Sequence, residues 1–123
     1  MTSEQLRVFG VGLLYILIFG TGYALGHAGK PYGSLLFNVH KLAALGLAVL
    51  LGYMFYRATQ SAAPSLPALG LAVVTALALL ALFVTGALLS VPKEVPGLVR
   101  IVHHVSPYLA VVCSALAVYL QRG

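Results

Sequence analysis

Four long apolar stretches constrain the fold of this chain more than any other feature. They cover residues 6–26, 34–56, 66–90 and 95–121. About 20 apolar residues in a helix cross a hydrocarbon core roughly 30 Å thick, and each stretch reaches that length. Hydrophobic residues make up 61% of the chain and charged residues only 7%, too few to cover a soluble fold. The sequence therefore predicts an all-α integral membrane protein, with residues 1–123 as one transmembrane domain.

The connections between the stretches are short: residues 28–33, 57–65 and 91–94. They contain Gly and Pro, and Pro96 suits the first turn of the fourth helix. Short connections between long helices favour antiparallel neighbours, so we expect an up-down-up-down four-helix bundle. In such a bundle both termini lie on one side of the membrane, and every histidine lies toward the other side.

The formal charge of +5 comes from basic residues scattered among the helix ends, where they bind lipid headgroups rather than nucleic acid. Lys41 and Arg100 fall within spans. Without them, three basic residues lie on the terminal side and two on the other, which favours cytoplasmic termini. Cys113 is the single cysteine, so the chain has no internal disulfide and no c-type haem attachment motif. Its position in the fourth span is typical of a small core residue.

Two segments of the chain repeat with the same spacing. Residues 19–22 (Phe-Gly-Thr-Gly) precede Leu25, Gly33 and His40, and residues 83–86 (Phe-Val-Thr-Gly) precede Leu89, Gly97 and His104. Chance similarity of apolar segments is the alternative to a true repeat. As a repeat, the pattern indicates two equivalent helix hairpins related by a pseudo-two-fold axis along the membrane normal.

The four histidines are the chemically informative residues of the spans. An ionisable side chain inside a bilayer is costly and usually marks a functional site. His40 lies about two turns into the second span, and His103 and His104 lie similarly in the fourth. Two helices that offer imidazoles at matched depth favour binding of a b-type haem between them. The alternative is that these histidines are buried and neutral, with hydrogen bonds to neighbouring carbonyls. His27 ends the first span, where it suits the negative end of the helix dipole; a proton or quinone contact is its alternative role.

His103 and His104 are adjacent, so they point about 100° apart on a helix. Steps of three and four residues from His103 reach small side chains, whereas the same steps from His104 reach a bulkier face. The two faces are Ser106, Ala110, Cys113 and Ala117, and Tyr108, Val111, Ala115 and Tyr119. Small residues are typical where a helix approaches a porphyrin or another helix closely. We take His103 as the metal ligand with His40, and His104, which the repeat favours, as the alternative.

A haem also needs polar partners for its propionates. Arg100 lies one turn before His103, toward the membrane surface, and is the candidate cation; headgroup anchoring is its alternative role. Gly22, Gly26, Gly86 and Ser90 leave room on the same side for a large planar ligand.

This arrangement resembles the cytochrome b561-like family and related bacterial b-type membrane subunits. The resemblance covers the architecture of the whole chain. The segments at residues 37–42 and 103–109, Phe-Asn-Val-His-Lys-Leu and His-His-Val-Ser-Pro-Tyr-Leu, also resemble those of small bacterial four-helix membrane proteins of unclear function. The resemblance to the b561-like family implies axial histidine ligands, haem b and a bacterial inner membrane location. The b561 pattern carries histidine pairs at both membrane sides, whereas this chain has none on the terminal side. One haem per chain is therefore the expectation.

Three functions compete on these grounds. The first is electron transfer by a bis-histidine haem that exchanges electrons with quinol or a redox partner protein. The second is a haem-free membrane protein, either a subunit of a larger complex or a quinone- or lipid-binding bundle; a homo-oligomer is compatible with both. The third, a transporter or channel, is disfavoured because Glu4 and Glu94 both lie outside the spans, and cation-coupled transporters generally use carboxylates within them.

Overall fold

The computed structural model is all-α and describes residues 2–30, 32–91 and 93–122. These residues form four helices: α1 (Ser3–Ala28), α2 (Ser34–Ser61), α3 (Leu66–Ser90) and α4 (Gly97–Arg122). Each helix is long and apolar enough to cross a membrane, so the chain is an integral membrane protein and the predicted fold class is confirmed. Pro31 and Pro92, which belong to two of the predicted connections, lie outside the described residues.

Polar ends extend the helices beyond the apolar spans. α2 continues through residues 57–61, which the hydropathy pattern assigns to a connection, so that assignment is wrong. Hydropathy marks where the chain leaves the hydrocarbon, whereas helical hydrogen bonding continues in the polar region beyond. α1 begins before its apolar span because Thr2 and Gln5 form a capping box, with mutual hydrogen bonds of 3.0 and 3.1 Å.

Helix α4 begins one residue after Pro96, which was predicted to lie within its first turn. Pro96 precedes the helix instead of occupying its first turn, and its carbonyl accepts a hydrogen bond from the Val99 amide at 3.0 Å. Proline needs no amide partner, so it is also tolerated immediately before the first helical residue. Gly97 is consequently the first residue of α4, and this sets the register of the histidines that follow.

The chain forms two compact units, Met1–Met54 and Phe55–Gly123. The first contains α1 and most of α2. The Arg7 guanidinium near the start of α1 lies 5.5 Å from the ring centroid of Tyr53. Near the other end of α1, Thr21 contacts His40. Positions rise along α1 as they fall along α2, so the two helices are antiparallel, as predicted.

The second unit contains the end of α2 together with α3 and α4, which pack closely against each other. The buried residues of these two helices are mostly small: Ala68, Thr75, Ala78 and Thr85 on α3, and Ser106, Ala110, Cys113, Ser114 and Ala117 on α4. Small side chains let membrane helices approach closely and gain van der Waals contact. The stripe of small residues on the His103 face of α4 is therefore buried within a helical protein interior.

Large apolar side chains cover the outer surface of both units, among them Ile16, Leu35, Leu66 and Leu98, each at least 70% exposed. A water-soluble protein does not leave apolar surface of this extent uncovered. In a bilayer these side chains contact lipid tails, which identifies the lipid bilayer as the partner of this surface.

Candidate functional site

The imidazole of His40 is held against α1 by a threonine. His40 is the seventh residue of α2 and is half-buried. Its Nδ1 lies 2.8 Å from the Oγ1 of Thr21. That hydroxyl donates its one hydrogen to the Leu17 carbonyl at 2.7 Å, within its own helix. With its hydrogen given to its own helix, the Thr21 oxygen is left to accept from the imidazole, which favours the tautomer that carries the proton on Nδ1.

Gly22 provides the space in which this imidazole lies. A Cβ built on Gly22 would lie 3.1 Å from the Cε1 of His40, closer than an ordinary van der Waals contact. The prediction that Gly22 leaves room for a ligand thus needs correction, because the histidine ring itself fills that room. Gly26 has open space where its Cβ would be.

The second unit repeats this geometry. His103 is the seventh residue of α4, and its Nδ1 lies 2.9 Å from the Oγ1 of Thr85. The Thr85 hydroxyl donates to the Ala81 carbonyl, with 2.6 Å between the two oxygens. A Cβ on Gly86 would lie 3.3 Å from the Cε1 of His103, so here too the histidine ring fills the room that was predicted for a ligand. We call each threonine–glycine pair with its histidine a histidine cradle.

The repeat places His103, rather than His104, in the position equivalent to His40. The sequence match aligns Gly33 with Gly97 and so aligns His40 with His104. However, α2 begins one residue after Gly33, whereas α4 begins at Gly97 itself. The same helical position therefore comes one residue earlier in the second hairpin. His104 is exposed, and its ring stands at 83° to that of His103.

The remaining candidate residues lie outside the cradles. His27 is exposed in the last turn of α1, where its ring centroid lies 4.2 Å from that of Tyr23, in agreement with the predicted helix-end role. Lys41 is exposed, with its Nζ 5.4 Å from the Phe37 ring centroid. Arg100 is exposed in the first turn of α4, one turn before His103, so its guanidinium is accessible to an anionic group.

The chemistry of the cradles fits iron ligation by imidazole. A neutral imidazole with its proton on Nδ1 carries its lone pair on Nε2. Metal-bound histidines almost always donate their other ring N–H to a nearby acceptor, and Thr21 and Thr85 would supply that acceptor if the imidazoles bound a metal. No group of three or more His, Cys, Asp or Glu in the described part of the chain could hold a metal ion. A haem needs only two protein ligands, because the porphyrin supplies the other four.

Sequence reasoning identified the histidines and glycines of the cradles but missed the threonines as their hydrogen-bond partners. The signal was present in the repeated Thr-Gly pairs at residues 21–22 and 85–86. Threonine in an apolar helix bonds its own backbone, so sequence alone gives no reason to connect it with a histidine on the next helix.

No protein-family model, no curated protein and no solved structure matches this chain.

Proposed function

We propose that this chain is a membrane-embedded b-type haem protein that acts in electron transfer, with His40 and His103 as the axial ligands of one haem. The observation that carries the proposal is the duplication of the cradle. Both imidazoles are the seventh residue of their helix, both hold Nδ1 within 2.9 Å of a threonine hydroxyl, and both lie over a glycine. A bis-imidazole haem requires two such equivalent ligands.

The contrast with the other two histidines supports this choice. His27 and His104 are exposed and have no threonine bonded to their rings among the contacts described. The shared helical position and partner residues therefore mark His40 and His103 as the two equivalent candidates for ligation.

A haem with two imidazole ligands has no open coordination position, which suits electron transfer rather than oxygen activation. The chain's residues then bind and orient the haem, and the apolar spans exclude water around it. Arg100, exposed and cationic near the start of α4, is the proposed partner of a haem propionate. Quinol or a redox partner protein is the proposed electron donor or acceptor.

The test is the visible spectrum of the purified protein in detergent, after expression with an ample haem supply. A sharp α-band on reduction and one haem per chain by pyridine haemochrome assay are expected. His40→Ala and His103→Ala should abolish the spectrum. His27→Ala and His104→Ala are matched controls that remove an exposed imidazole, and they should keep it.

Several outcomes would contradict the proposal. A colourless protein that takes up no haem in titration would leave the second function, a haem-free membrane protein. Full haem retention in both His40→Ala and His103→Ala would exclude these two residues as ligands. Haem loss in His104→Ala together with retention in His103→Ala would move the second ligand to His104.

A further inference from the structure

We infer that Thr21 and Thr85 are positioning residues that fix the tautomer of His40 and His103, so that Nε2 is the ligating nitrogen. The tautomer assignment stands on the hydrogen bonds of the apoprotein alone. Only its consequence for iron rests on the proposed function.

The hydroxyl of each threonine has a defined direction. Its hydrogen is directed to its own helix. The Leu17 carbonyl at 2.7 Å is nearer to Thr21 than the Ile18 carbonyl at 3.2 Å. Likewise, the Ala81 carbonyl at 2.6 Å is nearer to Thr85 than the Leu82 carbonyl at 3.3 Å. A hydroxyl that has given its only hydrogen can still accept through its oxygen lone pairs. Each threonine therefore presents an acceptor, and a neutral imidazole facing it must carry its proton on Nδ1.

The adjacent glycine holds the ring in this orientation. The Cε1 of His40 lies where a Cβ on Gly22 would make a 3.1 Å contact, and the Cε1 of His103 lies 3.3 Å from the corresponding Cβ position on Gly86. The ring edge between the two nitrogens thus packs against the α1 or α3 backbone. Nδ1 is fixed at the threonine, and the lone pair lies on Nε2.

The threonine also affects the strength of the ligand. An imidazole that donates from Nδ1 is a more basic donor at Nε2, and loss of such an outer partner typically lowers metal affinity about 10- to 100-fold. A more basic ligand favours oxidised iron. Removal of the threonine hydroxyl should consequently weaken haem binding and raise the midpoint potential.

The chain contains a matched control for these substitutions. Thr75 is buried on α3 and donates to the Leu71 carbonyl at 2.8 Å, the same bond within a helix that Thr21 and Thr85 make. None of the hydrogen bonds described for Thr75 involves a histidine. Thr75→Val therefore removes the same kind of hydroxyl from the same environment without touching a cradle.

The first experiment is ¹⁵N NMR of the histidine rings in the apoprotein, in detergent, with signals assigned from single histidine variants. His40 and His103 should show the Nδ1–H tautomer. Thr21→Val should change the ring signals of His40 only, and Thr85→Val those of His103 only. Thr21→Ser, which keeps the hydroxyl, and Thr75→Val should leave both rings unchanged.

The second experiment measures haem affinity and midpoint potential in the same variants. Thr21→Val and Thr85→Val should each weaken haem binding about 10- to 100-fold and raise the potential. Thr75→Val and Thr21→Ser should do neither.

The two proposals fail in different ways. An Nδ1–H tautomer that depends on Thr21 and Thr85, in a protein that binds no haem, would uphold the tautomer assignment and contradict the proposed haem-binding function. An Nε2–H tautomer in the unsubstituted apoprotein would overturn the inference whether or not haem binds. So would ring signals that respond to Thr21→Val no more than to Thr75→Val.

Discussion

Replacing Gly22 with alanine tests the packing of the first cradle directly. The new Cβ would lie 3.1 Å from the Cε1 of His40, about 0.3 Å inside the 3.4 Å at which ordinary van der Waals contact begins. The ring cannot easily move away from α1, because its Nδ1 is bonded to Thr21 on the same helix at 2.8 Å. Either the hydrogen bond lengthens or the two helices separate.

The expected magnitude follows from two opposing effects. Alanine is favoured over glycine in a helix by about 0.5–1 kcal/mol. Overpacking of a filled site costs about 1–3 kcal/mol, and the small overlap here places the cost near the lower end. Gly20→Ala and Gly26→Ala add a Cβ that meets no neighbouring atom within 4 Å. These two variants therefore gain the higher helix propensity of alanine without an overpacking cost. We expect Gly22→Ala to be about 1 kcal/mol less stable than Gly20→Ala.

The assay is unfolding by SDS in mixed micelles, monitored by far-ultraviolet circular dichroism, of these three variants and of Gly86→Ala. Gly86→Ala should fall between the others, because its Cβ would lie 3.3 Å from the His103 ring and needs almost no adjustment. Haem affinity should fall in Gly22→Ala and stay unchanged in Gly20→Ala. If Gly22→Ala proves as stable as Gly20→Ala and binds haem equally well, the argument that glycine makes space for the imidazole is wrong.

Two further predictions, one of them with a control substitution, concern other parts of the structure. Arg100→Gln should lower the midpoint potential of a bound haem and leave its spectrum intact, because a cation near the iron favours the reduced, less positive state. A potentiometric titration that shows no shift, or a rise, would assign Arg100 to headgroup anchoring. Ala110→Leu should destabilise the second unit by about 1–3 kcal/mol in SDS unfolding, because Ala110 is 0% exposed. Ala115→Leu on the exposed face of α4 should be nearly neutral, and equal stability of the two variants would contradict the packing of α3 against α4.

The fold class could be predicted from sequence because the bilayer imposes a simple rule. Backbone groups inside hydrocarbon must satisfy one another, so an apolar stretch of about 20 residues has little choice but to form a helix. Residues 66–90 match α3 at both ends. The end of α2 was harder to predict, since polar residues beyond Tyr56 continue the helix without leaving a hydropathy signal.

The candidate site was only partly predictable. Histidines within apolar spans are visible in any sequence, and the small residues beside His103 favoured it over His104. The repeat in the sequence aligns His40 with His104, whereas in the structure the residue equivalent to His40 is His103, one residue earlier. The reason is that α2 begins one residue after Gly33, and α4 begins at Gly97 itself. Sequence spacing cannot show that difference, since it depends on which residue begins each helix.

The sequence by itself determined an all-α membrane protein with its histidines in defined helical positions, because apolar length and the cost of buried charge act locally along the chain. Only the tertiary structure decided that His40 and His103 each face a threonine and a glycine on the preceding helix. The physical reason is that hydrogen bonds between helices depend on the rotation of each helix about its axis. That rotation is fixed by packing across the pair, through residues such as the small side chains of α3 and α4, and by no single segment alone.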